Sequence, residues 1–81
     1  MSADAGRTID ELDRVALTAP QPLHGLGVGD LGTVLAVHDG GRGYTVEFVS
    51  LTGETVAILT LPADCVRSLH PREVAHARPL A

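Results

Sequence analysis

The sequence predicts an all-β domain, a small antiparallel barrel of five strongly bent strands. Three observations predict it. Runs rich in β-branched and other apolar residues recur at 31–38, 44–49 and 55–61. Glycine-containing segments, 39–43 and 50–54, separate these runs and are short enough to be hairpin loops. The middle run alternates, with Tyr44, Val46 and Phe48 on one face and Thr45 and Glu47 on the other, which is the period of a half-buried strand.

The chain has 81 residues, enough for one domain. Its organisation reads as a flexible N-terminal tail over residues 1–8, a barrel over 9–69 and a C-terminal tail over 70–81. A domain of this size buries only about 60% of the surface that its unfolded chain exposes, so its stability margin is thin. Tyr44 and Phe48 are the only aromatic residues. The core must therefore come from Val, Leu, Ile and Ala, and a binding surface must manage almost without aromatic anchors.

Taken in order, Thr8 and Glu11 have the spacing of a capping box and predict one helical turn over residues 9–13. Residues 14–19 form the first strand, with Val15 and Leu17 on one face. Residues 20–29 form a long loop, punctuated by Pro20, Pro22, Gly25, Gly27 and Gly29, and its Leu23, Leu26 and Val28 are expected to fold back onto one end of the barrel. Gly29-Asp30 is the turn into the second strand, residues 31–38. The third and fourth strands are 44–49 and 55–61. A 3₁₀ turn over 62–65 then leads into a short fifth strand, 66–69. The second strand carries Val34, Leu35 and Val37 on both faces, and the fourth sets Val56 and Ile58 against Ala57, Leu59 and Leu61. Bent barrel strands feed two core faces in this way. The competing reading covers an outer face with a partner or a second copy, through Val34, Leu35, Val56 and Ile58.

Charge and cysteine content exclude several function classes. There is no lysine; six arginines face ten acidic residues, and the formal net charge is −4. Phosphate neutralisation supplies much of the affinity of nucleic-acid binders, so this balance argues against that role. Cys65 is alone and cannot form an intrachain disulfide or a Cys-x-x-Cys metal pair, which suits a reducing compartment. The N-terminus has no apolar core of a secretory signal, and no apolar run reaches the roughly 20 residues of a membrane helix. A cytoplasmic location is the expectation.

The candidate chemical groups are each weak. Cys65 beside Val66 reads as a small core residue, although Arg67 is near. His24, His38, His70, His76, Asp30 and Asp39 are possible metal ligands, but no pair has a ligand spacing on one element, and no metal or cofactor is expected. The glycines of residues 25–29 lead into a strand and not a helix N-terminus, unlike a phosphate cradle. His24 in the long loop and Arg42 at a hairpin tip are placed to touch a partner.

The order of strand, long loop, three-strand meander, 3₁₀ turn and short strand resembles an SH3-like barrel. Gly29-Asp30-Leu31-Gly32-Thr33-Val34, followed by Val46-Glu47-Phe48, is similar to the start of KOW-type barrels of ribosomal and transcription proteins. Leu61-Pro62-Ala63-Asp64-Cys65-Val66-Arg67 resembles the 3₁₀ turn and last strand of SH3 domains. Over residues 11–69 the chain also resembles a family of small bacterial proteins known as a domain of unknown function. That likeness is carried by Glu11-Leu12-Asp13, His24-Gly25-Leu26, residues 29–34, Val46-Glu47-Phe48 and residues 55–61. It implies a fold and a bacterial cytoplasmic setting, and no activity. Polyproline recognition needs a groove with several aromatics, which Tyr44 and Phe48 do not supply. The expected function is a non-enzymatic protein-binding module, an accessory subunit or an antitoxin- or immunity-like partner, with His24, Leu26 and Arg42 at the contact. The alternative is a KOW-like nucleic-acid-binding barrel.

Overall fold

The computed structural model describes residues 8–80. The expected N-terminal tail therefore lies outside the described residues apart from Thr8, as does Ala81. The chain forms one five-stranded antiparallel sheet: β1 (Arg14–Leu17), β2 (Leu31–His38), β3 (Gly43–Val49), β4 (Thr55–Pro62) and β5 (Val66–Ser68), in the spatial order β4-β3-β2-β1-β5. A 3₁₀ turn, Pro22–His24, lies in the long loop, and a second, Ala63–Cys65, precedes β5. The all-β class, the five antiparallel strands and the 3₁₀ turn before the last strand are all as the sequence predicts.

Alternation builds the core. Tyr44, Val46 and Phe48 of β3 are buried and face Leu61, Leu59 and Ala57 of β4 in register. Val15, Leu17, Val34, Leu61 and Val66 join them, so all five strands contribute to one apolar cluster, closed at one end by Leu26. Gly32 of β2 pairs in register with Val15 of β1 and lies close against β3. A Cβ there would lie 2.5 Å from Val46 Cγ1 and 2.9 Å from Phe48 Cε1, so this position has no room for a side chain.

Differences from the sequence expectations are local. Residues 10–13 form a turn instead of a helical turn: the Asp13 N–H donates to the Asp10 carbonyl at 3.2 Å, and the Asp10 N–H donates to Asp13 Oδ2 at 2.9 Å. Leu12 has a φ of 71° and its N–H donates to the Val34 carbonyl at 2.7 Å, so the tertiary contact overrides the capping box. Of the loop apolars, Leu26 is buried while Leu23 is 96% exposed and Val28 is 66% exposed. The two-sided apolar pattern of β2 has a specific cause. The β2–β3 register shifts between Val34 and Ala36, and Leu35 is the bulged residue, half exposed on the outside. Val34 is wholly buried and Val56 packs against the core, so Leu35 and Ile58 are the members of that set on the outer face.

Beyond β5 the chain turns at residues 70–73, where the Glu73 N–H donates to the His70 carbonyl at 3.0 Å. Arg67 of β5 pairs with Glu73, Nη1 to Oε1 at 2.7 Å and Nη2 to Oε2 at 2.6 Å. Arg78 reaches back to Asp30 across 48 residues. Two arginine–carboxylate pairs thus hold residues 69–80 as a strap over the sheet.

Candidate functional site

The outer face of the sheet carries the site. Register aligns Arg14, Thr33, Glu47 and Ile58 in one row across β1, β2, β3 and β4, and Arg67, Ala16 and Leu31 in a neighbouring row across β5, β1 and β2. Ala16 is 1% exposed yet lies outside the core cluster, between Val15 and Leu17, which belong to it. Strand alternation therefore puts Ala16 on the outer side, beneath the strap. A cleft of about 320 Å³ lies there, walled by Ala16, Leu31 and Arg67 on one side and Val74 and Ala75 on the other. Farther along, a groove of about 480 Å³ runs between residues 75–80 and the outer side of β2 and β3. Thr33, Glu47 and Val49 line its sheet side, Leu51 of the β3–β4 turn lines one end, and Arg78 and Leu80 line its strap side.

One end of the groove is a guanidinium receptor built by the loop before β2. The Leu17 N–H donates to the Asp30 carbonyl at 2.9 Å, and the Gly29 N–H donates to the Leu17 carbonyl at 2.8 Å, so the loop is fixed to the end of β1. Gly29 takes a φ of +92°, which a side chain would oppose, and this turns Asp30 into place. The Gly27 N–H donates to Asp30 Oδ2 at 2.8 Å and holds the carboxylate, while the Asp30 N–H donates to the Gly27 carbonyl at 3.1 Å and fixes the backbone beneath it. The Arg78 fork then engages it: Nε donates to Oδ1 at 2.9 Å, Nη2 donates to Oδ2, and Nη2 also donates to the Gly25 carbonyl at 2.8 Å. The Asp30 side chain is only 18% exposed. The Arg78 guanidinium holds Asp30 below the usual carboxylate range, against the opposing effect of burial and with help from the Gly27 N–H. A planar cation with forked donors fits this arrangement.

The remaining outer face is polar at its centre and apolar around it. His38 Nε2 hydrogen-bonds with Thr45 Oγ1 at 2.7 Å, and Thr45 Oγ1 with Thr60 Oγ1 at 2.9 Å. Thr55 Oγ1 donates to Glu47 Oε2 at 2.9 Å. Val49 is 51% exposed and Ile58 is 54% exposed beside this network.

The three residues expected at a contact are not brought together as one surface. His24 is exposed at the end of the first 3₁₀ turn. Arg42 is exposed in the β2–β3 hairpin, where its carbonyl accepts from the Ala63 N–H at 2.9 Å and braces the second 3₁₀ turn. Leu26 is 5% exposed and belongs to the core. In the sequence Asp30 is expected in the turn into the second strand and among the metal candidates, and Arg78 has no role. Among the described residues no three His, Cys, Asp or Glu side chains group to hold a metal ion. Burial pushes the Cys65 thiol pKa up, and the neighbouring Asp64 carboxylate adds to that shift, so the nucleophilic thiolate is disfavoured. No helix among the described residues is long and apolar enough to cross a membrane.

No curated protein and no solved structure matches the chain. Residues 11–68, which include Asp30 and all five strands and leave out the strap, match the family described as a domain of unknown function, DUF4926. The chain belongs to that family.

Proposed function

We propose that this protein is a non-enzymatic protein-binding module, an accessory chain that docks a partner on the outer face of its sheet. The observation that carries the reading is the 480 Å³ groove, which sets exposed apolar side chains, Val49 and Leu51, beside the carboxylates of Asp30 and Glu47. An apolar rim with a few fixed polar groups is how recognition sites orient a ligand. The rigid sheet supplies the position, and β4 at the sheet edge lies next to the open surface. The raised thiol pKa of Cys65 supports binding over covalent chemistry. The net charge of −4 favours a basic partner and speeds its encounter. The lone Cys65 suits a cytoplasmic setting.

Affinity capture from host extract tests the proposal, using the intact chain and its Val49→Asp variant. The intact chain is expected to retain one protein in stoichiometric amount, and the variant to lose it while remaining folded by circular dichroism. Retention of that protein at equal levels by both chains, or a stable monomer by sedimentation that retains nothing, would overturn it.

A further inference from the structure

We propose that the Gly25–Asp30 loop is a receptor for an arginine presented by an extended segment of another protein, and that the C-terminal strap is a built-in occupant that such a segment must displace. The inference rests on the binding reading above and gives the partner a chemistry.

A surface ion pair between two free side chains contributes little and requires no prepared site. Asp30 is different because its position is set before any cation arrives. Its backbone is pinned to Leu17 and its Oδ2 is held by the Gly27 N–H, two contacts that do not involve Arg78. The Gly25 carbonyl adds an acceptor for the same guanidinium nitrogen that reaches Oδ2. Two carboxylate oxygens and one carbonyl thus converge on one forked donor. Lysine, with a single point of charge, cannot meet Oδ1 and Oδ2 as a parallel pair.

The strap has the composition of a linear ligand. Residues 74–80 read Val-Ala-His-Ala-Arg-Pro-Leu, with small residues beside the arginine and a proline after it. Proline holds its preceding residue extended, so the arginine is presented on a straight backbone. The strap has no described strand or helix, and its residues are exposed from 71 to 80. It is anchored at Glu73 and at Arg78, and two clefts remain beneath and beside it. A weakly packed segment held mainly by side-chain ion pairs is the kind of element that a competing ligand removes. Because the strap is tethered, it acts at a high effective concentration and keeps the receptor filled unless the incoming segment also uses the groove along Val49 and Leu51.

The test is a titration of full-length protein with a labelled peptide, Val-Ala-His-Ala-Arg-Pro-Leu, followed by fluorescence anisotropy. Releasing the strap with Arg78→Ala is expected to tighten peptide binding about ten-fold or more relative to the unaltered chain. Adding Asp30→Asn to that variant is expected to abolish the gain. A peptide with citrulline in place of arginine, which keeps the shape and loses the charge, is expected not to bind either chain. In the Arg78→Ala chain, where the receptor is empty, excess peptide is expected to shift the Gly27 and Asp30 amide resonances. Equal binding of the arginine and citrulline peptides, or no change at the Gly27 and Asp30 amides, would overturn the inference. If the peptide fails while Val49→Asp still loses a captured host protein, the arginine receptor is wrong and the docking surface stands; if both fail, neither stands.

Discussion

On the β5–β1 side of the sheet the outer face lies beneath the strap, whereas on the β3–β4 side it stands open. The covered half is built for contact. Ala16 is the smallest residue that keeps a side chain, and it lets residues 74–76 approach the strands. Arg67 and Asp30, on either side of it, hold the strap by its carboxylate and its guanidinium. The open half has larger apolar residues, Val49 and Ile58, around the hydrogen-bonded Thr45–Thr60 pair. The core side is alike across all strands, so the fold itself does not distinguish the halves. The difference lies in which outer residues already have a partner within the chain and which still face solvent.

The largest expected effect concerns the feature that both halves share. Gly32→Ala forces a Cβ against Val46 and Phe48 and to 3.0 Å from the Glu47 carbonyl. It is expected to cost about 2 kcal/mol in urea unfolding, since overpacking of a tight interior costs this much. An unchanged midpoint would show that Gly32 does not lie this close against β3. Next comes a matched pair of substitutions, one on each half. Ala16→Leu places three extra carbons under the strap and is expected to destabilise by about 1 kcal/mol or more, whereas Ile58→Arg on the open half is expected to stay within about 0.5 kcal/mol. Similar costs for the two would mean that the halves do not differ.

A smaller effect comes from pH. The Arg67 fork, aided by the His70 N–H, lowers the Glu73 pKa from 4.5 to about 2, and Arg78 lowers that of Asp30 from 3.8. A carboxylate with a depressed folded pKa stabilises the docked strap fully above its unfolded pKa and loses that effect as pH falls through its folded pKa. Strap contacts are therefore expected to be intact above about pH 4.5 and to weaken as the pH falls towards about 2. Hydrogen exchange at the His70 N–H, which donates to Glu73 Oε1 at 2.6 Å, reads this directly. Loss of its protection already at pH 6 would contradict the pairing.

The sheet was legible in the sequence because it rests on short-range signals. Residues 31–38 form a strand with the expected bounds, and Tyr44, Val46 and Phe48 turn inward together, because alternation and glycine turns are local patterns. What failed to show was set by distant contacts. The Thr8/Glu11 pattern yields no helical turn, because the Leu12 N–H is claimed by Val34 in β2. Leu23 and Val28 look like Leu26 in the sequence, yet only Leu26 meets the core. Asp30 and Arg78 are 48 residues apart, and Arg78 lies in a stretch without periodicity. The one available signal was the Gly27-to-Asp30 spacing, which permits a side chain to close its own turn and marks Asp30 as a fixed carboxylate.

Asp30 and the Gly25 carbonyl together hold the Arg78 guanidinium, and with it the end of the strap. Nitrogen-15 NMR of the Arg78 Nε–H, assigned by its disappearance in Arg78→Lys, tests this most directly. The structure predicts a slowly exchanging Arg78 Nε–H signal at neutral pH that reverts to solvent-averaged behaviour in Asp30→Asn, while the amides of β3 stay in place. An Arg78 Nε–H that already exchanges like free arginine in the unaltered chain would contradict it.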